Sequence, residues 1–195
     1  MRITEFNAVS PSIKKCILLK GKKLSFTNVT VEDAPFITEL RCDSKKNRFL
    51  SKTSSLIDDQ IKWIENYNNC DNQAYFIIRD SMLKRIGTDR LYDPQGTSFC
   101  WGSWILIDGC DKTAAIESAL MVYNYAFYLG FSHAHIDVRN NNYSVKKFHE
   151  RFGAELKFSD EIDSYYHLTK DAIIKSLVKY KEFLPNGINV YDCNF

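Results

Sequence analysis

The chain has no C-x-x-C pair among its six cysteines, no internal repeat, and no apolar run approaching the roughly 20 residues that span a bilayer. Scattered thiols (Cys16, Cys42, Cys70, Cys100, Cys110, Cys193) without a secretion signal argue for the reduced state, so neither a disulfide framework nor a metal site is expected. The amino terminus, MRITEFNAVSPS, lacks the apolar core of a signal peptide, which makes a cytoplasmic location the expectation. A net charge of +2, with no acidic tail or basic block, argues against nucleic acid and membrane surfaces as partners. Any anionic ligand must then be held by a local site. What is present is apolar: 45% hydrophobic and 14% aromatic content over 195 residues fills one core.

Periodicity divides the chain. Residues 1–23 read as a basic N-terminal extension with a short apolar piece, CILL, and residues 24–29 alternate like a half-buried strand. Thr30 opens a helix to about Cys42, a polar loop follows, and a second helix runs from about Ser55 to Tyr67. AYFIIRD and RIGTDRLYD form an antiparallel hairpin, closed by the Asp93-Pro94-Gln95-Gly96 turn before the long strand SFCWGSWILI. The next helix buries Ile116, Ala119, Leu120, Tyr123, Ala126 and Phe127 on one face. It therefore makes a right-handed crossover to HAHIDV, which lies parallel to residues 98–107. A helix over 143–152, two strands near 154–159 and 164–169, and a C-terminal helix and tail over 171–195 complete one α+β domain: a mixed, mostly antiparallel sheet flanked by helices.

The junction near residue 110 is the place to look for function. A helix start carries unpaired N–H groups and a partial positive charge, so a buried strand feeding one makes a seat for phosphate. Cys110 lies beside that helix start, where a thiolate would be stabilised, but reads first as an inert packing residue.

Three pieces together resemble the GNAT superfamily of acyl-CoA N-acyltransferases over residues 24–170. LSFTNVTVEDAPFITELR and its continuation to QIKWIENY are similar to the branch containing amino-sugar and ribosomal-protein N-acetyltransferases. GSWIL, DKTAAIES and YNYAF resemble the cofactor strand, pyrophosphate loop and following helix, and NYSVKKFHERFGA resembles the closing motif through Asn142, His149 and Gly153. The resemblance implies a GNAT fold with one parallel strand pair forming the cofactor cleft, and acetyl-CoA as donor. It implies backbone N–H groups near Trp104, Ile105 and Leu106 facing the pantetheine, with Asn142 bonding that arm. Lys112, Thr113, Ala114 and Ala115 would meet the diphosphate, and His149 would stand where the family commonly has an acid. One departure stands out: the family's Gly-x-Gly is Asp111-Lys112-Thr113 here, which places a negative charge beside the expected anion or caps the helix.

N-acyl transfer needs a polarised thioester carbonyl and a neutral attacking amine. Gly102, in mid-strand, suits a bulge that frees N–H groups and turns Trp101 and Trp104 to one face. An imidazolium at His149 would protonate the leaving thiolate. No carboxylate lies on the cofactor strand, so the amine sheds its proton through water or through an acid elsewhere, with Asp89, Asp93 and Glu117 as weak candidates. His133, His135 and Asp137 alternate on one strand face and mimic metal ligands, but read better as packed residues. Arg41, Lys45, Lys46, Arg48 and Lys52 around the first interhelical loop suit a phosphorylated acceptor, with Arg41, Arg48 and Trp101 as its contacts.

The expected function is therefore N-acetyl transfer to a small-molecule primary amine, foremost a nucleotide-linked amino sugar for surface polysaccharide. Acetylation of a ribosomal-protein or peptide amino terminus is the enzymatic alternative, and a non-catalytic GNAT-fold binding module is the alternative of another class. A homodimer remains open.

Overall fold

A computed structural model describes residues 10–193, with side chains described as far as residue 191. The described residues form nine strands: β1 (Cys16–Lys20), β2 (Ser25–Asn28), β3 (Ala74–Arg79), β4 (Arg85–Gln95), β5 (Ser98–Leu106), β6 (His133–Arg139), β7 (Glu155–Ser159), β8 (Asp163–Leu168) and β9 (Asn189–Cys193). They make one sheet in the order β7-β8-β6-β5-β4-β3-β2-β1-β9, antiparallel throughout except where β5 meets β6. The helices are α1 (Ala34–Cys42), α2 (Ile57–Asn68), α3 (Ala114–Tyr128), α4 (Tyr143–Arg151) and α5 (Lys170–Lys179). This is the mixed α+β arrangement expected, with the single parallel pair in its expected place.

Both sheet faces are covered, and the sequence shows why. In β3 the run AYFIIR is apolar at every other position on both faces: Ala74, Phe76 and Ile78 enter the larger core, while Tyr75 and Ile77 enter the smaller one. The larger core lies under α3, whose Leu120, Met121, Tyr123 and Tyr125 are sealed from solvent. The smaller core is closed by Ile37 of α1 and Ile64 and Tyr67 of α2. Before α1 the chain makes one 3-10 turn, Val31–Asp33, in which Asp33 accepts the Thr30 N–H at 3.0 Å and is gripped by Arg85 at 2.7 Å. Among the described residues no helix is long and apolar enough to cross a membrane.

Two segments depart from the sequence reading. Residues 16–20, read as part of an irregular extension, are strand β1, and residues 189–193, read as tail, are strand β9 paired with it. In β1 the buried residues, Cys16 and Leu19, are three apart, so no period of two marks it as a strand, and β9 is defined by its pairing with β1. The extension's first nine residues lie outside the described residues.

Candidate active site

The site begins where two parallel strands separate. β5 and β6 pair only at Ser98 with His133, Phe99 with Ala134 and Cys100 with His135, after which the ladder ends and a gap opens. On its other edge β5 carries a bulge: Thr88 opposes Ile105 but Arg90 opposes Gly102, so β5 has one residue extra. The expectation placed this irregularity at Gly102, but the strained residue is its neighbour Ser103, at φ +48°. The reason is local. Gly102 is where Tyr92 packs onto the strand, its hydroxyl 3.0 Å from where a Cβ would stand, while the Ser103 carbonyl is fixed by the Thr88 hydroxyl at 2.6 Å.

The bulge has the two expected effects. Trp101 and Trp104 share a face, with ring centroids 5.4 Å apart. Ile107 donates its N–H to Ile86, so ladder alternation turns the Ile105 N–H toward β4, and those of Trp104 and Leu106 toward the gap. Two of the three residues named from the sequence thus present donors to the cleft, and Ile105 does not.

A cavity of about 320 Å³ occupies the gap, lined among others by Trp101, Trp104, Asp137, Asn142 and His149. His149 reaches it from α4, its ring edge-on to Trp101 at 5.2 Å, with its Nδ1 buried and unpartnered. Burial pulls this imidazole down to about 4. At neutral pH the ring is therefore uncharged, which corrects the expectation of an imidazolium: what His149 offers is a neutral ring whose Nδ1 is sealed from solvent. Asn142 stands at the start of α4, its carboxamide oxygen accepting from Ser144 at 3.2 Å.

The loop leading into α3 departs most from the expectation. Asp111 turns inward: one carboxylate oxygen accepts the Thr113 N–H at 2.8 Å and the Thr113 hydroxyl at 2.7 Å, and the other binds Lys23 at 2.8 Å. The Ala114 N–H is taken by the Asp111 carbonyl. Two of the amides expected to face a diphosphate are thus already engaged, and only that of Ala115 lacks a partner among the described residues. These contacts hold the Asp111 carboxyl well below the usual carboxylate range. Lys112 is exposed beside it. Nearby, burial pushes the Cys110 thiol up, so the helix start does not make it a thiolate.

On the α1/α2 side a second cavity of about 310 Å³ shares Arg41, Ser51 and Ser103 with the first. Its cations are Arg41, Lys52 and Arg90, and none of them has a carboxylate partner among the described residues. Arg41 is held by the Thr53 hydroxyl at 2.7 Å, and Arg90 lies 5.1 Å over the Trp63 ring with its Nε buried and unpaired. Sequence reasoning missed Arg90 and Trp63. The signal available was a charged pair, Asp89-Arg90, between the apolar Ile86 and Leu91 of β4. Conversely Arg48 lines neither cavity: it is exposed, stacked on its neighbour Phe49 at 4.5 Å. Lys46 is likewise diverted, to Asp108 at 2.6 Å.

The suggested bases fare poorly. Glu117 is tied by three backbone N–H groups, Asp93 lies 3.2 Å from His135 at the paired end of β6, and Asp89 is sealed in the core. His133, His135 and Asp137 are not gathered: Ser98 meets His135 at 2.8 Å, and no group of three or more metal-ligating side chains occurs among the described residues.

Comparison with known proteins agrees with this geometry. The family model for the acetyltransferase (GNAT) domain matches residues 23–155. The solved structure of apo FdhC, a nucleotide-linked sugar GNAT, is 39% identical, superposes with a TM-score of 0.76, and covers 89% of this chain and 99% of its own. A GCN5-related N-acetyltransferase from Brucella melitensis, 16% identical, covers 92% and 91% with a TM-score of 0.75. A spermidine N-acetyltransferase from Vibrio cholerae, 14% identical, covers 78% and 96% with a TM-score of 0.67. These last two speak to the fold alone. A search of the curated proteins finds no match. With its parted parallel strands, bulged β5 and a family match over two thirds of its length, the chain belongs to the GNAT acetyltransferase family.

Proposed function

We propose that this acetyltransferase moves an acetyl group from acetyl-CoA to the amine of a nucleotide-linked amino sugar. The observation that carries the acceptor is the second cavity: three cations without ion-pair partners against one carboxylate, Asp59, beside the partly exposed Trp63, and shared with the gap at Ser103. Arginines bind diphosphate oxygens through paired, charge-assisted hydrogen bonds, and an aromatic face suits a base. The likeness to a nucleotide-linked sugar GNAT supports the same class.

The donor side fits acetyl-CoA in three respects and resists it in one. The Trp104 and Leu106 N–H groups face the gap, the His149 ring lines it, and Asn142 lines its mouth. Against these, Asp111 supplies its own anion to Thr113. Bound there, acetyl-CoA supplies the acyl group as a thioester. The strand donors orient and polarise its carbonyl, and His149, held neutral, hydrogen-bonds at the sulfur side without carrying a charge.

Asp111→Asn retains an oxygen for the Thr113 N–H and removes the charge. We expect it to bind CoA about fivefold more tightly, the worth of one unit charge about 4 Å away in water. Calorimetric titration checks this, and an unchanged Kd means that the diphosphate does not approach Asp111. For the acceptor, thiol release is followed across free amino sugars, nucleotide amino sugars and peptides. Nucleotide-linked sugars should be preferred, and Arg90→Ala should raise their KM by about 10- to 100-fold, the worth of a charge-assisted bond. Equal turnover of free amino sugars, or no change on removing Arg90, would overturn the acceptor assignment.

A further inference from the structure

We propose that Asp137 is the carboxylate that receives the acceptor's amine and takes its proton, a role that rests on the acyl-transfer reading of the cleft. By strand alternation Asp137 lies on the face opposite Ala134, Ile136 and Val138, which are buried in the larger core. It stands two residues beyond the last parallel pair, Cys100 with His135, and so at the rim of the gap, level with Gly102. His149 lines the same cavity from the other side, packed on the two tryptophans. One cavity thus has an imidazole toward the leaving sulfur and a carboxylate toward the incoming amine.

Asp137 is the uncommitted acid of this cavity. Of the two carboxylates lining this cavity, Asp163 is bound by Arg139 at 2.7 Å, whereas Asp137 makes no ion pair among the described residues. Its one polar contact is a long one, from the Cys100 thiol at 3.8 Å. The groups that share its surroundings are Tyr92 on β4, Cys100 on β5, His135 and Arg139 on its own strand, Tyr165 opposite it on β8, and Arg41 at the cavity wall.

A sugar amine arrives as an ammonium ion at neutral pH. Asp137 attracts it and accepts one proton, and the neutral nitrogen forms the C–N bond to the acyl carbon. The C–S bond breaks with its electron pair on sulfur, nitrogen's second proton ends on that sulfur, and Asp137 returns its own to solvent. The balance is ammonium plus thioester to amide, thiol and one proton.

The test compares wild type with Asp137→Asn and Asp137→Glu on whichever amine the panel shows to be acetylated. At pH 7, Asp137→Asn should lower kcat/KM by about 10²- to 10³-fold, within the range for general-base loss. The deficit should close as pH rises past the amine's own pKa. Asp137→Glu should recover part of the rate. Affinity for desulfo-CoA and the circular dichroism spectrum should not change, and the preference for the amine over its hydroxyl analogue in binding should disappear. A kcat/KM within threefold of wild type at pH 7 with the same pH profile, or a retained amine preference, would overturn the role. Nucleotide preference is read separately, and its absence in the wild type overturns the acceptor class and leaves the Asp137 result standing. Turnover of no amine at all overturns both.

Discussion

Glu117→Ala is expected to lower the unfolding free energy by about 3–5 kcal/mol, the largest loss from any single substitution considered for this fold. Glu117 is 1% exposed, and one of its oxygens accepts the N–H groups of Lys22, Lys23 and Leu24 at 2.8, 2.7 and 2.9 Å. It thereby fastens the β1–β2 turn to the first turn of α3. Truncation leaves three donors facing a small void, each worth about 1 kcal/mol or more, and charge-assisted bonds are the stronger kind. The fit is close: a Cβ on Gly21 would sit 2.8 Å from the same oxygen, so no larger residue replaces that glycine without moving the carboxylate. Glu117→Gln, keeping the oxygen but not the charge, should fall between. Urea denaturation followed by circular dichroism measures both, and a loss below about 1 kcal/mol for the alanine variant would show that the turn is held by something else.

Asp89→Asn should act in the opposite direction, stabilising the protein at pH 8 and leaving it nearly unchanged at pH 4. Asp89 is sealed in mid-strand, and neither oxygen meets a hydrogen bond of good geometry. Burial drives its carboxyl well above the usual range, opposed only by the nearby Arg90 N–H. The folded chain therefore holds a proton that the unfolded chain releases above about pH 4. The protonated Asp89 is fully compatible with folding below that pH, and stability is lost as pH rises toward the folded value, at up to about 1.4 kcal/mol per unit. The asparagine variant has no proton to take up. Its denaturation midpoint should be flatter with pH than wild type over this window, and parallel curves would mean that Asp89 is ionised in the fold.

The scaffold of the site was readable in the sequence, and its fine chemistry was less so. Strand, helix and strand from residue 98 to 139 announced themselves because α3 buries a full apolar face and β5 and β6 are long enough to show alternation. The shared face of Trp101 and Trp104 followed from their spacing once a bulge was assumed. That Ser103 rather than Gly102 takes the positive φ could not be read, because it depends on Tyr92 and Thr88, which come from another strand. The same holds for Asp111. Its alternatives, helix cap or phosphate repellent, differ only in where Lys23 lies, and β1 and β2 decide that. His149 was found by its place in the closing motif, but its neutrality comes from the rings packed around it. Arg48 was read as an acceptor contact because a loop's charges give no sign of which cavity they line until the cavities are located.

The pairing of the first and last strands bears on how the chain is made. Leu18 and Tyr191 are partners across about 170 residues of sequence, so their ladder closes only once nearly the entire polypeptide has emerged. Until then β1 offers a bare row of amide and carbonyl groups, with Ile17 turned outward at 62% exposure. A chain stalled or clipped shortly before residue 189 would carry that unsatisfied border permanently, and would be the form most prone to join its copies edge to edge.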